Sequence, residues 1–339
     1  MFLKVSKLFT YFINDKLKSV MDIQKKYLGC DEHMKLIRRY LMTFDQLEHA
    51  YYNAWYKDKF HEKAIKLAEQ AYLEYPDHNE QILMDLIVFH GSMENKDQCI
   101  KYFNESLDKG YWYPAPYLST VLHKSGYESQ SQRWLELSKN IRNKPLVKVI
   151  KPVNYKSTTA MPLLVSLHGW GEDLELFSRF WKSDSISKDY IHLMIESSQQ
   201  IGYKHFSWDD RQRAFKDIEQ AINDLKGRYA IGNIIFAGFS QGSTTAIDLA
   251  FNSSLANIKG FIALCPNFPE KIKGINKTIR GVVITGDQDH AYKQQQEMIS
   301  YFNDISLDCD FQVIKDFGHW FPVDLSTRLA DALEYIKNH

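Results

Sequence analysis

A serine stands between two glycines in IIFAGFSQGSTTAI, residues 234–247. The residues before it are apolar and β-rich and those after it favour a helix, so Ser240 lies where a strand turns sharply into a helix. Glycines at 238 and 242 remove the side chains that would collide in such a turn, which leaves the serine hydroxyl exposed at its tip. The G-x-S-x-G spacing therefore predicts a nucleophilic serine; an inert serine in a tight turn is the alternative.

A nucleophilic serine needs a base, and that base must be oriented by a third group. Three histidines follow Ser240 in the chain. His290 directly follows an aspartate and is expected to point elsewhere, and His339 is the last residue. His319 lies in DFGHWFP, after the last β-rich segment and before the last helical one. We therefore predict that His319 is the base.

Two carboxylates compete for the role of the acid that orients this histidine. Asp287 is the last residue of the β-rich segment RGVVITGD, and Asp289 lies two residues further along, in the loop after it. The G-x-x-D spacing from Gly286 favours Asp289, whereas Asp287 is suited to a hydrogen bond with the turn backbone. Asp289 is the preferred assignment, and the resulting chain order is Ser, Asp, His.

The negative oxygen of a tetrahedral intermediate is usually stabilised by two backbone N–H groups. The residue after the nucleophile, Gln241, is expected to supply one of them. Trp170, after His168 and Gly169 in LLVSLHGWGED, is expected to supply the other, with His168 in a structural role. Trp320, next to the predicted base, is expected at the rim of the site in contact with substrate.

Short β-rich segments alternate with helical segments from residue 145 to residue 339. This alternation predicts an α/β domain with a mostly parallel sheet that helices cover on both faces. Active groups gather at the carboxyl ends of the strands in such a sheet, where the predicted site residues all lie. The predicted strands are in LVKVIKPV, PLLVSLHG, IHLMIES, NIIFAGFS, IKGFIALCP, RGVVITGD and DFQVIKDFG.

Residues 1–144 predict an all-helical domain. FHEKAIKLAEQAYLEYP has apolar or alanine positions at helical spacing, and Pro76 ends the pattern. Ala64, Ala71 and Pro76 fall where a tetratricopeptide repeat places its second-helix alanines and closing proline, so this region resembles a degenerate tetratricopeptide array. An ordinary helical bundle is the alternative. A repeat array would offer a concave face for contact with a protein or peptide.

LHGWGED, GFSQGS and the Ser, Asp, His order make residues 145–339 similar to the α/β-hydrolase superfamily. The branch that they resemble is the phospholipase/carboxylesterase branch, which includes acyl-protein thioesterases. This resemblance implies a serine hydrolase that cleaves carboxylic esters or thioesters without a cofactor or metal. It implies a catalytic triad made of Ser240, His319 and Asp289. It also implies an oxyanion hole made of the N–H groups of Trp170 and Gln241.

Two features depart from that branch. The acid loop TGDQDHAY lacks the hydrophobic-proline run that is common after the aspartate, and the helical half has no counterpart in single-domain members. Prolyl-oligopeptidase-like peptidases also carry an extra N-terminal domain, although theirs is a β-propeller. A serine peptidase is therefore one alternative function, and a helical-repeat adaptor with an incidental hydrolase domain is another.

The overall composition bears on partners and location. Lys plus Arg and Asp plus Glu each number 42, so net charge gives no reason to bind nucleic acid or an anionic membrane. The four cysteines are scattered, without zinc-binding spacing, and are expected to be reduced thiols. Residues 1–20 predict an amphipathic helix, a candidate for membrane-surface contact, and neither a signal peptide nor a membrane span. We expect a soluble, cytoplasmic protein whose substrate is a small ester or thioester.

Overall fold

The computed structural model describes residues 42–153, 155–156, 158–267 and 278–338. The predicted amphipathic helix at residues 1–20, Cys30 and His339 lie outside the described residues. By contacts, the chain divides into two compact units, residues 1–93 and 94–339. The boundary at residue 144 that the sequence suggests remains a proposal for where the α/β domain begins.

The first unit contains three helices in its described part. They are α1 (Phe44–Tyr52, continued by a π-helical turn at Asn53–Lys57), α2 (His61–Glu74) and α3 (Asn79–Ser92), with a 3₁₀ turn at Pro76–His78 before α3. Thr43 and Gln46 form a reciprocal capping box at the start of α1. Ala64, Ala68 and Ala71 on α2 are fully buried, so α1 and α3 can pack closely against this helix. The tetratricopeptide assignment remains a prediction.

A buried carboxyl group links two helices of this unit. Asp85 on α3 accepts hydrogen bonds from the hydroxyls of Tyr51 (2.8 Å) and Tyr52 (3.0 Å). Burial raises the pKa of Asp85 to about 7, although both tyrosine hydrogen bonds act to lower it. The folded protein therefore keeps a proton on Asp85 at a pH where the unfolded chain has lost it.

This difference predicts a pH-dependent stability. Because the folded pKa lies above the unfolded value of about 3.9, the stabilisation is complete below pH 4 and is lost by about pH 7. The free energy of unfolding should fall by about 4 kcal/mol over that range, and Asp85→Asn should abolish this part of the slope. Urea unfolding at several pH values would measure it. Glu62→Gln, at an exposed position on α2, is the control and should keep the wild-type slope.

The second unit begins with three helices and continues with the sheet. The helices are α4 (Lys96–Asp108), α5 (Ser119–Leu122) and α6 (Glu128–Leu137). Residues 42–144 contain helices and no strand, and the first strand begins at Leu146. This confirms the predicted helical character of the described part of residues 1–144.

Seven strands form the main sheet. They are β1 (Leu146–Ile150), β2 (Met161–Leu167), β3 (Ile191–Glu196), β6 (Ile231–Phe239), β7 (Ile258–Leu264), β8 (Arg280–Gly286) and β9 (Cys309–Ile314). Their spatial order is β1-β3-β2-β6-β7-β8-β9, and only the β1–β3 pair among them is antiparallel. A separate antiparallel hairpin, β4 (Gln199–Gly202) with β5 (His205–Ser207), was not predicted from the sequence.

Helices cover both faces of the main sheet. Apolar residues of α9 (Arg211–Lys226), α10 (Gln241–Asn252) and α11 (Tyr292–Asp304) share one core with alternate strand residues. The other core is shared by α7 (Leu174–Phe177), α8 (Asp184–Asp189) and α12 (Leu325–Asn338). The structure confirms the predicted architecture, an α/β domain with a mostly parallel sheet that follows a helical region.

None of the helices in the described part of the chain has the length and apolar character that crossing a membrane requires.

Candidate active site

Ser240 lies on a strained turn between β6 and α10. Its backbone angles, φ 52° and ψ −119°, are unfavourable for a residue with a side chain. A Cβ atom on Gly238 would lie 2.4 Å from the carbonyl of Gly242, and one on Gly242 would lie 2.2 Å from the carbonyl oxygen of His168. The steric reason for both glycines is therefore confirmed, and the turn presents the serine hydroxyl beyond the strand end.

Three of the predicted site residues form a hydrogen-bonded chain. The Nε2 atom of His319 is 2.8 Å from the Ser240 hydroxyl oxygen, and its Nδ1 atom is 2.9 Å from Oδ2 of Asp289. Ser240 follows β6, Asp289 follows β8 and His319 follows β9. Because these strands are parallel, their carboxyl ends share one edge of the sheet, and the three loops meet there.

Asp289 is held as a carboxylate. Its side chain is fully buried, and its Oδ1 atom accepts a 2.7 Å hydrogen bond from the N–H of Ala291. Burial acts to raise the pKa of Asp289, but the hydrogen bonds from His319 and Ala291 outweigh it and lower this pKa below its ordinary value. The carboxylate therefore accepts the Nδ1 proton of His319, which leaves Nε2 free to accept from the serine hydroxyl. Asp287 is exposed and outside this chain.

His290 does not point away from the site, and that expectation was wrong. Its ring centroid lies 4.4 Å from that of His319, and its Nδ1 atom is 3.6 Å from Oδ1 of Asp289. The N–H of Tyr292 donates to the carbonyl of Asp289 and closes a tight turn. In this turn the side chains of Asp289 and His290 both lie next to His319. The His290 side chain is 70% exposed, in contrast to the buried acid beside it.

His168 orients the peptide group that contains the Trp170 N–H. Burial lowers the pKa of His168 to about 4, so its ring is neutral. Its Nε2 atom accepts from the N–H of Ser197 at 3.0 Å, and its Nδ1–H donates to the carbonyl of Gly169 at 2.6 Å. Since a trans peptide points its N–H opposite to its C=O, the Trp170 N–H is directed away from His168. This supports the structural role predicted for His168.

The second predicted donor, Gln241, begins α10 directly after Ser240. Its side chain is fixed, because Oε1 accepts from the N–H of Trp208 at 2.8 Å and Nε2 donates to Asp209 at 2.7 Å. Within the part of the chain that the structure describes, the backbone N–H groups of Trp170 and Gln241 donate to no other residue. Both remain available to a bound oxygen.

Glu172 was not identified from the sequence. Its Oε2 atom accepts a 2.7 Å hydrogen bond from the N–H of Gly169, in the same loop as Trp170. Burial raises the pKa of Glu172 to about 7, against the opposing effect of that hydrogen bond. The glutamate in LHGWGED was its only sequence signal, and an acidic residue in a loop ordinarily indicates a solvated side chain.

Trp320 lies beside the histidine and is 51% exposed. Its ring centroid is 5.6–6.2 Å from those of its aromatic neighbours, Phe180, Phe239 and Phe321. Phe180 and Phe321 stack at 4.1 Å, so these residues form a continuous apolar wall next to His319. Phe239 and Phe321 are buried, and Trp320 with the half-buried Phe180 forms the accessible part of this wall. Other aromatic residues near the motifs, Phe177, Trp181 and Trp208, are also buried in the core.

One group of potential metal ligands is found in the described residues, Cys265, Asp289 and His319, whose ligand atoms lie within 4.8 Å of one another. Asp289 and His319 are already hydrogen bonded to each other. Burial, followed by the charge of Asp289, raises the pKa of the Cys265 thiol. Two of the three side chains are therefore already engaged with each other, and the third is a buried thiol.

Comparisons of the chain with protein-family models and with curated proteins each find no match. Among solved structures, an uncharacterized protein from Bacillus cereus is 22% identical with a TM-score of 0.49, over 88% of this chain and 99% of that one. Esterase PE8 is 20% identical with a TM-score of 0.47, over 57% of this chain and 99% of its own. Acyl-protein thioesterase 2 from Zea mays is 18% identical with a TM-score of 0.46, over 56% and 98%. The case for a function rests on the geometry of this chain's own residues.

Proposed function

We propose that the protein is a serine hydrolase that cleaves carboxylic esters or thioesters through an acyl-enzyme intermediate. The observation that carries this proposal is the continuous hydrogen-bonded chain from Asp289 through His319 to Ser240, with the half-buried serine on a strained turn. Transfer of the serine proton to a histidine that a carboxylate orients converts a weakly nucleophilic hydroxyl into one that attacks a carbonyl carbon.

In the proposed mechanism, His319 Nε2 removes the proton from Ser240 as its Oγ atom attacks the substrate carbonyl. The carbonyl oxygen becomes negative and accepts hydrogen bonds from the N–H groups of Trp170 and Gln241. His319 then donates the proton to the departing alcohol or thiol. Water, deprotonated by the same histidine, attacks the acyl-enzyme and restores Ser240, while Asp289 holds the imidazole in one tautomer.

The proposed acyl-binding surface is the apolar wall next to His319. Trp320 is its most exposed member, and it contacts Phe180, Phe239 and Phe321. An acyl chain laid against Trp320 and the half-buried Phe180 would bury apolar area on both sides, at about 25 cal/mol per Å². We therefore propose substrates with an apolar acyl group.

A fluorophosphonate probe and a substrate panel would test the proposed function. The probe should label the wild type and Ser254→Ala, which changes an exposed serine, but not Ser240→Ala. The panel should contain p-nitrophenyl esters and acyl thioesters of increasing chain length together with peptide p-nitroanilides. Labelling of Ser240 with cleavage of esters or thioesters supports the proposal. Labelling with turnover of peptides alone would favour a peptidase, and absence of both labelling and turnover would refute hydrolysis.

Trp320→Ala should weaken the binding of long acyl chains selectively. Loss of the indole surface should raise KM for octanoyl esters about tenfold, which corresponds to about 1.4 kcal/mol of lost apolar contact, and change KM for acetyl esters less than about twofold. Steady-state kinetics along the ester series would measure this. Val323→Ala, at a fully exposed position in the same loop, is the control. An equal rise in KM for every chain length would contradict the assignment of this residue to the acyl site.

A further inference from the structure

An aromatic segment from the helical region packs against the loop that carries Trp170. This segment, which we term the aromatic strap, comprises residues 111–118 (YWYPAPYL) between α4 and α5. It belongs to the same compact unit as the sheet. The carbonyl of Trp112 accepts from the N–H of Tyr203, and the carbonyl of Tyr113 accepts from the indole of Trp134 at 2.9 Å. The strap is thus hydrogen bonded both to the β4–β5 hairpin region and to α6.

The Trp170 loop is tied down on either side of the tryptophan. Before it, Gly169 donates its N–H to Glu172, and its carbonyl accepts from His168. After it, Gly171 donates its N–H to the carbonyl of Phe206 at 2.8 Å and accepts from Nδ1 of His205 at 2.7 Å. These bonds fix the positions of Gly169 and Gly171, and Trp170 with its N–H lies between these two residues in the chain.

Tyr117 of the strap lies against this loop at Trp170 and Gly171, and against His205, which binds the loop. Its ring meets the indole of Trp170 edge to face, with centroids 5.3 Å apart, and meets the ring of His205 at 6.0 Å. Its hydroxyl oxygen lies directly above Gly171, only 3.2 Å from where a Cβ atom on that glycine would be. Tyr113, also in the strap, packs edge to face on the same His205 ring, with centroids 6.2 Å apart.

We propose that Tyr117 is a positioning residue for the Trp170 N–H, and through it for the developing oxyanion. The proposal rests on the proposed hydrolase function. Tyr117 holds the Trp170 side chain directly, and it supports the His205 ring that binds the Gly171 carbonyl. Since an oxyanion donor acts only at a defined distance from the negative oxygen, a small displacement of the loop would reduce transition-state stabilisation more than substrate binding.

Tyr117→Ala should therefore lower kcat by about 10–100-fold, less than the 10²–10³-fold loss of an entire oxyanion donor, and change KM less than about threefold. Tyr117→Phe keeps the ring contacts and should retain at least about half of kcat. Tyr111→Ala is the matched control, because Tyr111 lies in the same strap and packs on Tyr203 (4.8 Å between centroids). It should remain within about threefold of the wild type in kcat, since it leaves the contacts of Tyr117 with Trp170 and His205 in place.

A trifluoromethyl ketone with the preferred acyl chain separates positioning from a general structural effect. It forms an oxyanion with Ser240, so its inhibition constant should rise in Tyr117→Ala by the same factor as kcat/KM falls. An unchanged inhibition constant, or a rise no larger than that of KM, would overturn the proposal. If the alanine variant loses cooperative unfolding, Tyr117→Leu is judged by the same criterion.

The wild-type enzyme separates this proposal from the proposed function. If the wild type is neither labelled by the fluorophosphonate probe nor active on any ester, the proposed function itself fails. If the wild type is labelled and active, and Tyr117→Ala matches it in kcat and in trifluoromethyl ketone affinity, only the role of Tyr117 fails.

Discussion

Replacing Ser240 with alanine is expected to lower kcat for an ester substrate by about 10⁴-fold or more, and His319→Ala by a similar factor. The alanine variant at 240 has no atom to attack the carbonyl. The variant at 319 keeps the hydroxyl but has no acceptor within 2.8 Å for its proton. Initial rates at saturating substrate, with matched circular dichroism spectra to confirm folding, would measure both losses.

The double variant should be no slower than either single one. Ser240 and His319 act as a unit in the proposed mechanism, so removal of one abolishes the contribution of the other. The residual rate should come from the N–H groups of Trp170 and Gln241 acting on bound substrate. If the two losses instead multiply, the serine and the histidine contribute independently, and the acyl-enzyme mechanism is wrong.

His290→Ala provides a control for the same experiment. His290 lies 4.4 Å from His319 between ring centroids, but its side chain is largely exposed and it has no hydrogen bond to Ser240. We expect kcat to change by less than about fivefold, because the histidine lies outside the chain of proton transfer. A loss as large as that of His319→Ala would show that the wrong histidine has been assigned as the base.

The predicted residues that the structure brings together are those whose positions are fixed by local geometry or by strand order. The Gly238 and Gly242 pattern reports a steric requirement within five residues, which can be recognised without tertiary structure. Asp289 and His319 are distant in sequence, yet each follows a parallel strand, and parallel strands bring their carboxyl ends to one edge. Motif and topology were therefore sufficient to bring this part of the candidate site together.

The features that the sequence did not reveal depend on contacts between irregular segments. His290 was misplaced because residue spacing does not determine where a side chain points in a turn. Tyr117 lies more than 50 residues before Trp170, in a segment without helical or strand periodicity. Its only signal was the aromatic richness of YWYPAPYL, which fits core packing equally well. Contacts also group residues 94–144 with the sheet, whereas the change in secondary-structure pattern suggested a boundary at residue 144.

Asp289→Asn should lower kcat by about 10³–10⁴-fold, whereas Asp287→Asn should change it by less than about threefold. The Asp289 carboxylate accepts the Nδ1 proton of His319 and is itself fixed by the N–H of Ala291. An asparagine at this position presents an amide donor to Nδ1, which favours the tautomer with its proton on Nε2. That tautomer cannot accept the proton of Ser240, even though the ring keeps its place.

The two substitutions make a stringent comparison, because they remove the same charge from one loop, two residues apart. Hydrogen bonding lowers the pKa of Asp289, so its carboxylate stays ionised across the pH range of an ester assay. The ratio of the wild-type kcat to the Asp289→Asn kcat should therefore remain large from pH 6 to pH 9. Asp287 is exposed, so its loss changes only a solvated charge. A large effect of Asp287→Asn with a small effect of Asp289→Asn would reverse the assignment of the acid, and with it the tautomer on which the proposed mechanism depends.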